Sequence, residues 1–309
     1  MSPSLIARLV IEPALRIAGV KTVTKTEARA RRYVARLAAR SQSAKPPRGS
    51  KASRDLDSST GWCVYQRSPE KQTPSASVIY LHGGGYVQEI RRHHWAFCAM
   101  LAEAVPATVQ VPIYPLAPHA TAASTIPALT ELVRKVRAAN PERPLFVAGD
   151  SAGAAMALAV AQPLRDQQAA GLIDGLVLIS PWLDATMSNP EHPKPQRRDR
   201  IQSMPDLREF GRAYAGDLAL DNPFVSPFFG DMHGLPPTLV VTGTADMFSA
   251  NVSILEQTLH QAGTHIEVLK GIGMQHIYPL MPLIPEGAHA RDHISAWIRT
   301  SIRSLGRRP

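Results

Sequence analysis

Short apolar runs rich in Val, Ile and Leu recur along the chain, separated by longer stretches patterned like helices. "WCVYQR", "SASVIYL", "ATVQVPIY", "RPLFVAG", "DGLVLIS", "PTLVVTG" and "HIEVLK" have the length and β-branched character of strands. "HHWAFCAMLAEA", "AGAAMALAVAQPLRDQQ", "SANVSILEQTLHQAG" and "PEGAHARDHISAWIRTSIRS" read as helices between or after them. Runs that are apolar throughout belong to strands buried on both faces. The alternation therefore predicts an α/β fold, with a mostly parallel central sheet flanked by helices.

Two stretches break this rhythm. The N-terminal part reads as two helical pieces, the second being the basic "TEARARRYVARLAARSQ". A Pro-, Gly- and Ser-rich connection follows, "SAKPPRGSKASRDLDSSTG". Between "DGLVLISPWLD" and "PTLVVTG" lie about fifty residues, too many for an ordinary connection. They open Pro-rich and contain the helical "MPDLREFGRAYAG". An insertion there sits above the C-terminal ends of the strands, where ligands bind in open α/β sheets. The expected division is N-terminal helices contributing to a cap (1–50), a first part of the core (51–184), a cap insertion (185–220) and a second part of the core (221–309).

Charge changes this picture little. The 34 Lys and Arg against 25 Asp and Glu give a formal charge of +9 over 309 residues. The excess collects before Arg54, in "KPQRRDR" and in the C-terminal "RTSIRSLGRRP", without the series of interleaved aromatic residues that a base-stacking surface would need. Solvated helix faces and tails are the expectation, and nucleic acid is not an expected partner. Cys63 and Cys98 lie in a strand-like and a helix-like apolar context, which predicts buried free thiols. No apolar run reaches membrane-spanning length, and Arg8, Glu12, Pro13 and Arg16 interrupt the apolar N-terminus, so neither an integral membrane segment nor a signal peptide is expected. A cytoplasmic location follows by default.

The chemistry concentrates at strand ends. Gly149-Asp150-Ser151-Ala152-Gly153 stands between an apolar strand and an Ala-rich helix. A G-x-S-x-G pattern arises by chance roughly 0.1 times in such a chain, so its strand–turn–helix setting carries the argument. The alternative is a serine that merely caps a helix. A serine nucleophile needs a base, and the base needs an orienting acid, in the chain order Ser, Asp or Glu, His. Asp246 lies just past a strand and before a helix, where a helix-start acid would also be ordinary. Of the five histidines after it, His260, His289 and His293 fall in helices and His265 opens a strand. His276 lies in a Gly-containing loop after the last strand, where a base can reach the sheet top. The run His82-Gly83-Gly84-Gly85 follows a strand directly, and an H-G-G-G arises by chance only on the order of 0.003 times, which makes it the most specific signal. Consecutive glycines let backbone N–H groups approach a small oxyanion.

Together with "YPLAP", "SPWLD", "VSPFF", "LPPTLVVTGTAD" and "GMQHIYPL", these motifs resemble the hormone-sensitive-lipase-like branch of the α/β-hydrolases, from about Ser77 to the last helix. The resemblance implies an α/β-hydrolase fold with a helical cap. It implies Ser151 as nucleophile, Asp246 as orienting acid and His276 as base. Gly84, Gly85 and Ala152 would supply oxyanion N–H groups, Gly83 would set the turn, and His82 and Asp150 would support these loops. The expected activity is hydrolysis of small-molecule carboxylic esters of short to medium acyl chain through an acyl-enzyme. The same residues would serve a lactone or an amide/N-acetyl hydrolase, and an inactive scaffold that binds a small molecule is the rival of another class. No metal or organic cofactor is expected. The outer strand "HIEVLK" offers an edge to a second copy, which predicts a homodimer.

Overall fold

The computed structural model describes residue 4 and residues 26–167, 169–192 and 198–306. The first expected helical piece, part of "KPQRRDR" and the last three residues of the chain lie outside these. The described order is α1 (Glu27–Ala38), β1 (Ser53–Leu56), β2 (Cys63–Arg67), β3 (Ala76–Leu81), α2 (Arg92–Ala104), β4 (Ala107–Ile113), α3 (Ala122–Ala139) and β5 (Leu145–Asp150). It continues with α4 (Ala152–Asp166), β6 (Gly175–Ile179), α5 (Met204–Ala215), β7 (Thr238–Gly243), α6 (Ser249–Gln261), β8 (Ile266–Gly271) and α7 (Pro285–Leu305).

The strands form one eight-stranded sheet in the order β1-β2-β4-β3-β5-β6-β7-β8. Only β1–β2 and β2–β4 pair antiparallel, and every other pair is parallel. Every residue of β3, β5, β6 and β7 is buried. The pleat sends their side chains alternately to two apolar clusters. Ile79, Leu81, Leu145 and Val147 pack with α3, α4 and α6 on one face. Val78, Tyr80, Phe146 and Ala148 pack with α2 and α7 on the other.

Two elements escape the pattern reading. β1 lies inside the expected connection: it is four residues long and wholly exposed, so no apolar face marks it. The helix α3 carries Ile126, Leu129, Leu132, Val133 and Val136 at helical spacing, but Pro127 interrupts its second turn. Cys98 is buried as expected, while Cys63 is only half-buried, and both are free thiols. Among the described residues no helix is long and apolar enough to cross a membrane.

Candidate active site

At the end of β5 the chain turns into α4 through Ser151, with φ 54° and ψ −120°. This is a left-handed conformation that residues with a side chain adopt only when the surroundings enforce it. Three backbone bonds enforce it here. The Ser151 N–H donates to the Ile179 carbonyl at 2.8 Å, and the Ser151 carbonyl accepts from Trp182 at 3.1 Å and from Ala155 at 3.2 Å. Strand and helix close so tightly that a Cβ on Gly153 would stand 2.0 Å from the Leu81 carbonyl oxygen, and one on Gly149 2.5 Å from the Gly153 carbonyl carbon. Although Ser151 occupies the N-cap position, its hydroxyl makes no capping bond.

The loop after β3 runs beside it. Gly84 has φ 122° and Gly85 φ 60°, both in the region that favours glycine. Gly83 has a different reason: an added Cβ would meet the Asp150 carboxylate at 2.2 Å. The Gly83 N–H donates to Asp150 Oδ1 at 2.9 Å. The N–H groups of Gly84 and Gly85 donate to no other described residue. Ala152 is the first residue of α4, so its N–H has no acceptor within the helix. Three donors at one corner are therefore open to a ligand.

Asp150 is fully buried and anchors this corner. Its Oδ1 also accepts the Tyr80 hydroxyl at 2.6 Å, and His94 Nε2 lies 3.3 Å from Oδ2. Burial opposes its charge, yet His94, the Tyr80 hydroxyl and the Gly83 N–H together hold the carboxyl well below the usual range. His82 stacks on Tyr114 with ring centroids 4.4 Å apart, and its Nδ1 lies 2.7 Å from the Gly83 carbonyl oxygen. Burial first, and then His94, push the His82 imidazole down to about 4, so it sits neutral as a brace of the loop.

His276, in the loop after β8, lies with Nδ1 2.9 Å from Asp246 Oδ2, and both side chains are almost wholly buried. A carboxylate only accepts, so Nδ1 carries the hydrogen and Nε2 is left as acceptor. Burial works against the charged imidazolium, but Asp246, then Asp199 and Asp150, outweigh it and raise the His276 pKa. The other oxygen of Asp246 accepts the Phe248 N–H at 3.0 Å. A row of rings braces both loops. Tyr86 stacks on Tyr214 of α5 at 3.7 Å and leans on Trp182, Trp182 stacks on Phe248, and Phe248 meets His276 edge-on.

These groups share one cleft of about 540 Å³, which Ser151, His276, Gly84 and Gly85 all line. Tyr33 of α1, Leu207 and Phe210 of α5, and Leu280 and Met281 also line it. Ser151, Asp246, His276, Gly83, Gly84, Gly85, Ala152, His82 and Asp150, the residues expected to form the site, thus all meet at one end of the sheet. Pattern reading passed over others. Ser180 accepts the Ile277 N–H on its hydroxyl at 2.9 Å, tying the His276 loop to the end of β6. Ser180 and Trp182 stand in "SPWLD" and Gln275 in "GMQHIYPL", motifs that give these residues no role of their own, and His94 is not singled out.

The model of the α/β-hydrolase fold family matches residues 78–280. A triacylglycerol lipase of Mycobacterium tuberculosis is 34% identical over 199 residues, which cover 64% of this chain but only 40% of that protein. An acetyl-hydrolase of Streptomyces hygroscopicus is 29% identical over 243 residues, covering 78% of this chain and 81% of that one. Among solved structures, an esterase from the bacterial hormone-sensitive lipase family superposes with a TM-score of 0.80 at 24% identity, over 98% of this chain and all of that one. The family match covers most of the sheet and every residue of the cleft corner. The chain belongs to the α/β-hydrolase family, in its hormone-sensitive-lipase-like branch.

Proposed function

We propose that the chain hydrolyses carboxylic esters through an acyl-enzyme formed on Ser151. The observation that carries this reading is the meeting, in one cleft, of a serine in an enforced turn, an imidazole hydrogen-bonded to a buried carboxylate, and three open N–H donors. His276 Nε2 takes the Ser151 proton as the oxygen attacks the ester carbonyl, and Asp246 stabilises the imidazolium that forms. The oxyanion is met by the N–H groups of Gly84, Gly85 and Ala152, donors of a kind each worth about 3 kcal/mol to the transition state. His276 then protonates the leaving alcohol, and the acyl-enzyme is opened by a water that His276 deprotonates in turn.

The names of the relatives, triacylglycerol lipase and acetyl-hydrolase, support ester chemistry at this site. A cleft of about 540 Å³ suits acyl chains of short to medium length. The helices α1 and α5 serve as its cap, with residues 1–50 and 185–220 as the cap segments and residues 51–184 and 221–309 as the two parts of the core. A homodimer paired through the outer strand β8, and a cytoplasmic location, complete the reading. Sedimentation of the purified chain tests the dimer. The central test is turnover of p-nitrophenyl acetate, butyrate and palmitate by wild type and Ser151→Ala. Wild-type turnover, highest on the shorter esters and lost in the variant, is expected. An ester activity that survives Ser151→Ala overturns the assignment.

A further inference from the structure

We propose that Asp199 and Gln275 are positioning residues, forming a clamp by which the segment entering α5 holds Asp246 and His276 in working register. The proposal rests on the ester-hydrolase reading of the same site.

Asp199 belongs to neither the sheet nor a helix, yet it is wholly buried. Its Oδ1 accepts the N–H groups of Ile201 at 2.7 Å and Gln202 at 2.8 Å, which folds its own segment into a tight turn. Its Oδ2 reaches out of that segment and accepts the Met247 N–H at 2.9 Å. Met247 is the residue after Asp246. The adjoining residues make the matching contact on the other loop. Gln275, immediately before His276, accepts the Arg200 N–H on Oε1 at 2.8 Å and donates from Nε2 to the Arg198 carbonyl at 3.1 Å. Three consecutive residues, 198–200, are therefore bonded to the chain neighbours of both members of the Asp246–His276 pair. The next three, Ile201, Gln202 and Ser203, line the substrate cleft. One short segment lines the cleft at one end and holds the neighbours of the Asp246–His276 pair at the other.

Accepting N–H groups on both oxygens takes a carboxylate, since an amide would turn a donor toward one of them, and the charge that comes with it has a second consequence. The loops after β7 and β8 are already bonded, Thr244 N–H to the Gly271 carbonyl at 2.9 Å and Ala245 N–H to the Met274 carbonyl at 3.0 Å. A second carboxylate buried beside Asp246 adds like-charge repulsion, and burial, then Asp246, raise the Asp199 pKa. What offsets that repulsion is a positive charge, and the imidazolium of His276 supplies it during reaction. The groups acting on His276 are Asp246 from the loop after β7, Asp199 from the segment before α5 and Asp150 from the end of β5. His93, His94, Arg91, Glu89 and Asp206 lie around the same cleft, and Arg198 and Arg200 flank Asp199 in the chain. Asp199 thus has a geometric part, fixing the loop of the acid, and an electrostatic part, stabilising the protonated base. Gln275 has only the first.

The full-length chain carrying Asp199→Asn or Gln275→Ala separates these parts. With p-nitrophenyl acetate, both variants should lose about tenfold in kcat while KM changes less than about twofold, because a misplaced base slows the chemistry more than binding. Asp199→Asn should also move the acid limb of the kcat/KM profile to lower pH, and Gln275→Ala should leave it in place. Labelling of Ser151 by a fluorophosphonate counts the folded, competent fraction, so a loss from misfolding is corrected out. If Asp199→Asn does not fold, Gln275→Ala decides alone through its kcat. Wild-type kcat and an unmoved acid limb in the folded variants, whatever happens to melting temperature, overturn the proposal and leave the ester-hydrolase reading intact. Absence of Ser151-dependent turnover in the wild-type chain overturns both.

Discussion

Single residues carry opposite demands at this site. Ser151 sits at φ 54° and ψ −120°, a conformation costing on the order of 1–3 kcal/mol for a residue with a Cβ. Glycine adopts it without that strain, although it loses more chain entropy on folding. Ser151→Gly should therefore match or exceed Ser151→Ala in stability by about 1 kcal/mol, with neither turning over substrate; paired urea melts read the difference. His276 makes the second demand. Its pKa is raised, and the base must be neutral to act, so kcat/KM should fall as pH drops through a value above the ordinary 6.5 of histidine. Asp246→Asn removes the carboxylate that raises it and the acceptor that fixes Nδ1–H. Turnover should drop about a thousandfold or more, with any residual acid limb displaced to lower pH. The placement of Ser151, Asp246 and His276 was readable because each stands at a strand end with its own local cue. Asp199 was not. It sits in "KPQRRDR", which composition marks as a solvated basic run, and only folding reveals that this acid turns inward.

At the scale of elements, the apolar strands announced themselves because the sheet is covered on both faces. β1 stayed hidden because an exposed edge strand has no buried face to record. The helix α3 stayed hidden because Pro127 breaks the cue while tertiary packing of Ile126 and Leu129 overrides it. The insertion was legible as a length anomaly, but not the way its helix meets α1. Glu209 of α5, nearly buried, receives Arg31 of α1 and Arg212, and Glu27 of α1 faces Arg208 and Arg212. The arginines of these pairs stand largely in water, which screens them, so the pairs add little. Packing matters more. Phe210 lies 6.2 Å from Tyr33, and a Cβ added at Gly85 would fall 2.5 Å from its ring. It therefore joins α1, α5 and the glycine loop after β3 at one contact. Phe210→Ala should cost about 3–5 kcal/mol in a denaturation curve. It should raise KM for butyrate esters more than for acetate, since the cleft loses a wall rather than a reacting group.

Across the whole molecule, Asp150 is where the sheet, the glycine loop after β3 and a flanking helix are joined. Its carboxylate takes Tyr80 of β3, the Gly83 N–H and His94 of α2, while its own backbone ends β5. The carboxylate is almost wholly buried, so its folding contribution depends on those donors. Its native pKa is depressed, and the sign of the linkage follows. The stabilisation is complete above the unfolded-state value of about 3.9 and is lost as pH falls toward the native value, further down. Asp150→Asn keeps the shape but removes the charge that strengthens these hydrogen bonds, which is worth roughly 1.5–3 kcal/mol per bond to a charged acceptor. The variant should be less stable than wild type by a constant margin from neutral pH down to about pH 5, and the margin should narrow below pH 4. Urea melts of both chains across that range measure it. Because Asp150 also holds Gly83, the loss should appear in turnover as well, through a looser loop carrying the N–H groups of Gly84 and Gly85. A margin that stayed flat to pH 3 would mean the carboxylate contributes to the fold by shape alone.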